Sequence, residues 1–221
     1  MLRLENISKA FPQRGIVLDN LNLETGIGDS IAITGPSGSG KTTLMNIIGA
    51  LDRPDSGDIK FKGNSILKLS PNELSGYRNR NIGFVFQDHL LLNHLTIKEN
   101  VLLPLLAEKI SEEEYSNFEK YCDTLMERVG ISGLKDKFPF QVSGGEAQRA
   151  TIVRALIRKP SLLLADEPTG SLDSKNAENL GRLLVELNRE FKIALIIATH
   201  SEDMALRMAL HLKLDEGKLK V

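Results

Sequence analysis

Several features that mark other protein classes are missing from this sequence of 221 residues. A single cysteine, Cys122, excludes a disulfide framework and fits a reducing compartment. Lysine and arginine (28) nearly balance aspartate and glutamate (29), so there is no basic excess and we expect no nucleic-acid partner. No apolar run approaches the roughly 20 residues that span a bilayer, and residues 1–11 lack the apolar segment of a signal peptide. No repeat or linker divides the chain, which predicts one soluble, intracellular domain over residues 1–221.

The front of the sequence has the period-two pattern of β-strands. Apolar and polar residues alternate within residues 1–34, which predicts short strands there. The alternation returns at Ile59 and Phe61, after a predicted turn at residues 55–57. These segments predict an antiparallel β patch at the front of the fold.

Helix-start signals dominate the middle of the sequence. Ser70, Thr96 and Ser111 are each followed three residues later by glutamate, the pattern of a capping box. Pro104 is expected to bend or end the helix that starts after Thr96, and Gly130 to end the helix that starts after Ser111.

Buried-strand patterns dominate the remainder. Residues 82–86 form a strand-like stretch. Residues 162–165 are a continuous apolar run, typical of a parallel strand that is covered on both faces, and residues 193–198 predict a second buried strand. A hairpin turn is predicted at residues 215–217. We therefore predict an α/β core with an antiparallel β patch at the front and a helical insertion at about residues 88–158.

A glycine-rich segment matches the phosphate-binding pattern G-x-x-x-x-G-K-[ST], between an apolar β-rich run and a helix-like stretch. Its glycines let successive backbone N–H groups point at phosphate oxygens, and the following helix adds its positive end. Lys41 is expected to contact the β- and γ-phosphates, and the Thr42 hydroxyl to bind Mg²⁺. The residues predicted to hold the nucleotide here are Gly35, Pro36, Ser37, Gly38, Ser39, Gly40, Lys41, Thr42 and Thr43.

An acidic pair follows the apolar run at residues 162–165. Asp166 stands where that strand would meet the nucleotide crevice and suits Mg²⁺, directly or through water. Glu167, one residue later, is placed to polarise an attacking water. Without a phosphate loop, such a pair more often begins a loop or caps a helix; here the loop favours the catalytic interpretation.

A second anion-binding helix start precedes this acidic pair, in the segment Val142-Ser143-Gly144-Gly145-Glu146-Ala147-Gln148-Arg149. One nucleotide does not need two such helix ends from the same chain, so a second copy of the protein would explain this segment economically. With it, the sequence resembles the ATP-binding cassette (ABC) ATPases, whose signature is usually Leu-Ser-Gly-Gly-Gln. The chain departs from that signature at Val142 and Glu146.

The resemblance covers the whole chain and implies a RecA-like P-loop NTPase core. It implies that Gln87 senses Mg²⁺ and the attacking water and that His200 contacts the γ-phosphate. It also implies that Ser143, Gly144 and Gly145 act on the nucleotide of a second copy, with Asp173 crossing the dimer interface. Phe11 stands where the family places an aromatic ring against adenine.

Within the family, the segments at 82–87, 99–106 and 166–170 resemble the lipoprotein-releasing and macrolide-exporter ATPases, and Ser-Gly-Gly-Glu favours lipoprotein release. The resemblance implies an ATP-hydrolysing subunit, dimeric when ATP is bound, at the cytoplasmic face of a bacterial inner membrane with separate permease subunits. The alternatives are a macrolide or peptide exporter and a non-transport mechanical regulator of the cell-division type. The apolar segment at 89–95 is expected either to receive a permease helix or to pack within the insertion.

Overall fold

The computed structural model describes residues 1–220; Val221, the last residue of the predicted domain, lies outside them. The strands are β1 (Leu2–Phe11), β2 (Gly15–Thr25), β3 (Ser30–Thr34), β4 (Ser56–Phe61), β5 (Asn64–Ser65), β6 (Ile82–Val85), β7 (Leu162–Asp166), β8 (Ala194–Ala198), β9 (Leu210–Asp215) and β10 (Lys218–Lys220). The helices are α1 (Lys41–Ile48), α2 (Pro71–Asn81), α3 (Ile97–Leu102), α4 (Glu112–Arg128), α5 (Gly144–Leu156), α6 (Ser174–Phe191) and α7 (Glu202–Ala205).

The front of the chain forms a four-stranded antiparallel sheet in the order β2-β1-β4-β5. The predicted antiparallel patch is confirmed, but β1 and β2 are long strands of 10 and 11 residues rather than short ones. The turn predicted at 55–57 is wrong, because β4 already begins at Ser56, which pairs with Ser8. Gly57 has a φ of 95° and lies beside an irregularity in the pairing of β1 with β4. Its left-handed backbone therefore marks a break inside the β1–β4 ladder and not a turn before β4.

The second sheet has six strands in the order β10-β9-β3-β8-β7-β6. The pairs β9–β3, β3–β8, β8–β7 and β7–β6 are all parallel. Their carboxyl ends therefore lie along one edge, where ligands bind in open α/β sheets. The predicted hairpin at 215–217 joins β9 to the antiparallel β10.

The helix-start predictions are confirmed. Ser70, Thr96 and Ser111 each accept a hydrogen bond from the backbone N–H three residues later and form complete capping boxes at α2, α3 and α4. Helix α3 ends two residues before Pro104, where the chain tightens into a 3-10 turn. Gly130, with a φ of 75°, follows the end of α4.

The parallel sheet is buried on both faces. One apolar cluster packs α3 to α6 against one face, and the other packs the antiparallel sheet and α1 against the opposite face. The apolar stripe of α6, which faces the first cluster, is Leu180, Leu183, Leu184 and Leu187. Within residues 1–220, no helix combines the length and the apolar character needed to cross a membrane.

Candidate active site

One cavity of about 490 Å³ lies at the carboxyl edge of the parallel sheet. The loop after β3 forms one wall, and the ends of β6, β7 and β8 supply polar side chains. It is lined by Arg14, Ser37, Gly38, Gly40, Lys41, Thr42, Thr43, Gln87, Asp166, Glu167 and His200. The fold thus brings together six residues that the sequence predicted for chemistry: Lys41, Thr42, Gln87, Asp166, Glu167 and His200.

The loop after β3 wraps around the amine of Lys41. Lys41 Nζ donates to the carbonyl oxygens of Gly35 (2.8 Å) and Pro36 (3.1 Å), and the side chain is buried. Gly40 precedes α1 with a φ of 105°, and a Cβ there would lie 2.7 Å from Cγ1 of Val17. Glycine is therefore required, and α1 starts without a side-chain cap, which leaves its first N–H groups for an anion.

Asp166 is the residue best suited to a cation. Its Oδ1 is buried and has no hydrogen-bond partner. Burial raises the pKa of the carboxyl above its ordinary value of 3.8; a hydrogen bond from Thr42 opposes the rise, the charge of Glu167 adds to it and the charge of Lys41 opposes it. A buried oxygen without a partner beside a threonine hydroxyl fits Mg²⁺, which prefers oxygen ligands.

Glu167 is held at the end of β7 by its neighbour β8. Its backbone has a φ of 47°, a left-handed conformation that is uncommon outside glycine. Its N–H donates to the carbonyl oxygen of Ala198 (2.8 Å), and its Oε2 lies 2.9 Å from Nδ1 of His200. A carboxylate only accepts, so Nδ1 carries the proton in this contact. The Glu167 side chain is mostly buried, whereas that of His200 is exposed.

Phe11 lies in a neighbouring cavity that shares Arg14 and Thr43 with the main one. The two cavities are therefore contiguous, with the polar part at the phosphate loop and the aromatic ring beyond it. Arg14 is a lining residue that the sequence analysis missed. It follows β1 in a turn where its N–H donates to the carbonyl oxygen of Phe11, and no motif marks it.

Ser143, Gly144, Gly145 and Asp173 do not line the main cavity. Ser143 instead caps α5: its Oγ accepts from the Glu146 N–H (3.3 Å), and its own N–H donates to Glu146 Oε2 (2.7 Å). The S-x-x-E pattern that reveals this capping box is present in the sequence. Asp173 caps α6 by accepting from the Asn176 N–H at 3.0 Å, and this backbone bond lowers the pKa of its carboxyl.

A family model described as "ABC transporter" matches residues 18–170. The chain belongs to the ABC transporter family. It is 44% identical to lipoprotein-releasing system ATP-binding protein LolD 1 of Rhodopirellula baltica, covering 99% of this chain and 96% of that protein. It is 39% identical to LolD of Myxococcus xanthus (99% and 98%) and 45% identical to the ABC transporter ATP-binding protein YxdL of Bacillus subtilis (90% and 77%).

Solved structures of ABC cassettes share the fold over the whole chain. The dimeric structure of the bacterial cassette MJ0796 superposes with a TM-score of 0.88 at 36% identity, covering 100% of this chain and 97% of that one. A dimeric post-hydrolysis state of the same cassette, bound to ADP and Pi, gives a TM-score of 0.87. The predicted α/β cassette fold is thus confirmed, and the chain is an ABC ATPase that binds and hydrolyses ATP.

Proposed function

We propose that this ABC ATPase drives lipoprotein release, as a peripheral subunit at the cytoplasmic face of a bacterial inner membrane. The observation that supports the chemistry is the single cavity that unites Lys41, Asp166 and Glu167. The lipoprotein assignment is supported by LolD relatives aligned along 99% of the chain and by the Ser-Gly-Gly-Glu signature. Residues 1–221 act as one nucleotide-binding domain with a helical subdomain at about 88–158.

A second candidate, a macrolide or peptide exporter, is favoured by the similarly high identity to YxdL, which is not named for lipoproteins. The mechanical regulator of the cell-division type has no such supporting relative among those described above. Cargo decides between the first two. In vesicles that contain the cognate permease and an acylated lipoprotein, ATP should release the lipoprotein, and a Lys41→Ala subunit should not. Release of a macrolide or peptide instead, with no lipoprotein released, would favour the exporter.

The nucleotide is bound along the two contiguous cavities. The N–H groups of the loop residues that line the main cavity hold the phosphates together with the α1 terminus, and Lys41 supplies positive charge to the β- and γ-phosphates. These loop residues are Ser37, Gly38, Gly40, Lys41, Thr42 and Thr43. Phe11 stacks on adenine at the far end. Arg14, between the two, contacts the ribose or phosphate part.

Thr42, Asp166 and Gln87 hold Mg²⁺. The buried, unpartnered Oδ1 of Asp166 and the adjacent Thr42 hydroxyl support this donor set. When bound, the ion neutralises charge on the phosphate oxygens. Gln87 reaches the same cavity from the end of β6 and orients the attacking water.

Glu167 is the general base. It takes a proton from the water whose oxygen attacks the γ-phosphorus, while the bond from that phosphorus to the bridging oxygen breaks and ADP leaves. The left-handed backbone at Glu167 and its bond to Ala198 fix the carboxylate, and His200, 2.9 Å away, contacts the γ-phosphate.

A second copy completes the site. Ser143, Gly144, Gly145 and Asp173 lie outside the cavity of their own chain, which supports their action on the nucleotide of a partner. The dimeric cassettes at 36% identity also support this arrangement. Cross-linking in the presence of ATP should therefore show that position 143 of one chain lies close to the phosphate loop of the other. If the two remain separated with ATP bound, the composite site is contradicted.

Two substitutions separate binding from chemistry. Glu167→Gln removes the base and its repulsion of the γ-phosphate but keeps the shape, so hydrolysis should fall by about 10²–10⁴ while ATP stays bound. Retained ATP favours the dimer by mass action. In Mg²⁺ and ATP, a sizing column should show Glu167→Gln as a dimer and Lys41→Ala, which binds phosphate weakly, as a monomer. Wild-type hydrolysis by Glu167→Gln would remove Glu167 as the base.

A groove of about 450 Å³ between α2, α5 and the segment after β6 receives a short cytoplasmic helix of the permease. Leu90 at its rim is 59% exposed and Leu51 is 51% exposed, whereas Leu91 packs against the core. Leu90→Glu should abolish co-purification with the permease and spare basal hydrolysis. Ile27→Glu, at an apolar site that is 74% exposed and does not line the groove, is the control, and equal co-purification of the two variants would remove the groove from the interface.

A further inference from the structure

Gln148 is a fully buried amide on α5 that the functions described so far do not use. Its Nε2 donates to the carbonyl oxygen of Phe86 (3.0 Å) and to that of Pro168 (2.9 Å). Its Oε1 lies 2.5 Å from Nδ1 of His89. All of the hydrogen-bonding groups of this side chain except one lone pair are thus engaged inside the protein.

Each contact of Gln148 reaches a different functional segment. Phe86 precedes Gln87, and Pro168 follows Glu167, so both acceptors are backbone carbonyls next to residues of the catalytic cavity. The two segments also touch each other, since a Cβ at Gly170 would lie 3.2 Å from Cδ of Gln87. Gln148 therefore binds both the segment of Gln87 and the segment of Glu167, close to the place where these two segments contact each other.

The third contact leads toward the permease groove and the signature. His89 begins the apolar segment at 89–95, and its carbonyl oxygen accepts a bond from Arg154 on α5 at 2.8 Å. Its ring also lies beside the signature, because a Cβ at Gly144 would be 3.9 Å from His89 Nε2. Gln148 itself sits four residues after Gly144 on α5, one helical turn from the signature glycines.

We propose that Gln148 is a positioning residue that sets Gln87 and Glu167 relative to the signature helix. The two amide protons fix both loops to α5, so a displacement of α5 moves the metal-sensing amide and the general base together. This inference rests on the proposed roles of Gln87 and Glu167. An apolar side chain of the same size would fill the space but leave two buried carbonyl groups without donors.

The test compares Gln148→Met with a control on the same helix. Methionine keeps the length and volume but provides no donor. Its expected effect on the full chain is a kcat for ATP about tenfold or more below wild type, with a KM changed less than about threefold, because the lost bonds hold the catalytic loops and not the phosphate loop. The control is a substitution of Ile152, a fully buried residue of α5. Of Ile152→Val and Ile152→Ala, the one whose loss of thermal stability matches that of Gln148→Met is used.

Glu167→Gln is measured in parallel. Equal losses of kcat in Gln148→Met and the Ile152 control, or a raised KM with an unchanged kcat, would overturn the inference. If Gln148→Met hydrolyses ATP like the wild type while Glu167→Gln is inactive, the inference about Gln148 is overturned and the proposed role of Glu167 as the base stands. Wild-type turnover by Glu167→Gln would instead remove the proposed base, and this inference with it. If Gln148→Met does not fold, Gln148→Glu, which keeps the shape but has no N–H donor, undergoes the same measurement against the same outcomes.

Discussion

Replacement of Asp166 by asparagine should stabilise the nucleotide-free protein and remove most of its stabilisation by Mg²⁺ and ATP. The carboxylate has a buried oxygen without a partner, and burial raises its pKa above 3.8. The folded state therefore binds this proton more tightly than the unfolded chain does. Stability falls as the pH rises from 3.8 through the raised folded value, and above that value the full penalty of the charge remains.

The size of the nucleotide effect follows from linkage. A chain of this length gains about 2–4 °C in Tm per kcal/mol. Asp166→Asn removes the buried charge and should raise the Tm of the nucleotide-free protein at neutral pH. In the wild type, ligand at a hundred times its Kd adds about 2.7 kcal/mol, or roughly 5–11 °C, and the variant should lose most of this increment.

Thermal unfolding measured with and without Mg²⁺ and ATP, from pH 3.8, the ordinary pKa of the carboxyl, up to neutral pH, tests both effects. The neutral side chain also removes the pH dependence that Asp166 contributes, so the difference in Tm between the two proteins should narrow as the pH falls. The assignment of Asp166 as a buried metal ligand would be refuted by a variant that has a lower Tm than the wild type without nucleotide and the same increase in Tm with Mg²⁺ and ATP.

Three further outcomes are expected. Gly40→Ala should lose stability and ATP binding, because its Cβ would lie 2.7 Å from Val17. The control Gly63→Ala, with a φ of 84° and open space around it, should lose only about 1–2 kcal/mol of stability and keep ATP binding in a titration. Equal effects of the two substitutions would contradict the steric argument. Burial raises the pKa of Cys122 to about 11, so thiol labelling at pH 8 should follow urea unfolding, and fast labelling of the folded chain would contradict this. Arg14→Ala should raise the KM for ATP and leave kcat unchanged, and a loss confined to kcat would exclude a binding role.

The features that sequence predicts well are those encoded within a few consecutive residues. The capping boxes at Ser70, Thr96 and Ser111 depend on one oxygen and one carboxylate three residues apart, so their local physics needs no tertiary context. The phosphate loop is local in the same way. Asp166 and Glu167 can be located because a buried apolar strand precedes them and the carboxyl ends of parallel strands share an edge.

The features that sequence misses depend on distant partners. Gln148 contacts carbonyl groups 62 and 20 residues away, and neither acceptor belongs to a recognisable side chain. Arg14 reaches the cavity only because β1 ends beside the phosphate loop. The sequence predicts a turn at residues 55–57, where β4 in fact begins at Ser56, for the same reason: the residue that pairs with Ser56, Ser8, lies on another strand.

The order of the parallel sheet has a consequence for synthesis of the chain on the ribosome. β3, which leads into the phosphate loop, pairs with β8 and β9 and with no strand that is made earlier than these two. The antiparallel sheet, with its short β1–β2 connection, has all of its strands once the chain has reached Ser65. A nascent chain therefore completes its front sheet early but exposes both edges of β3 until β8 and β9 emerge near the end of synthesis. The strand that leads into the phosphate loop therefore gains its sheet partners only late in synthesis, when these long-range pairings can form.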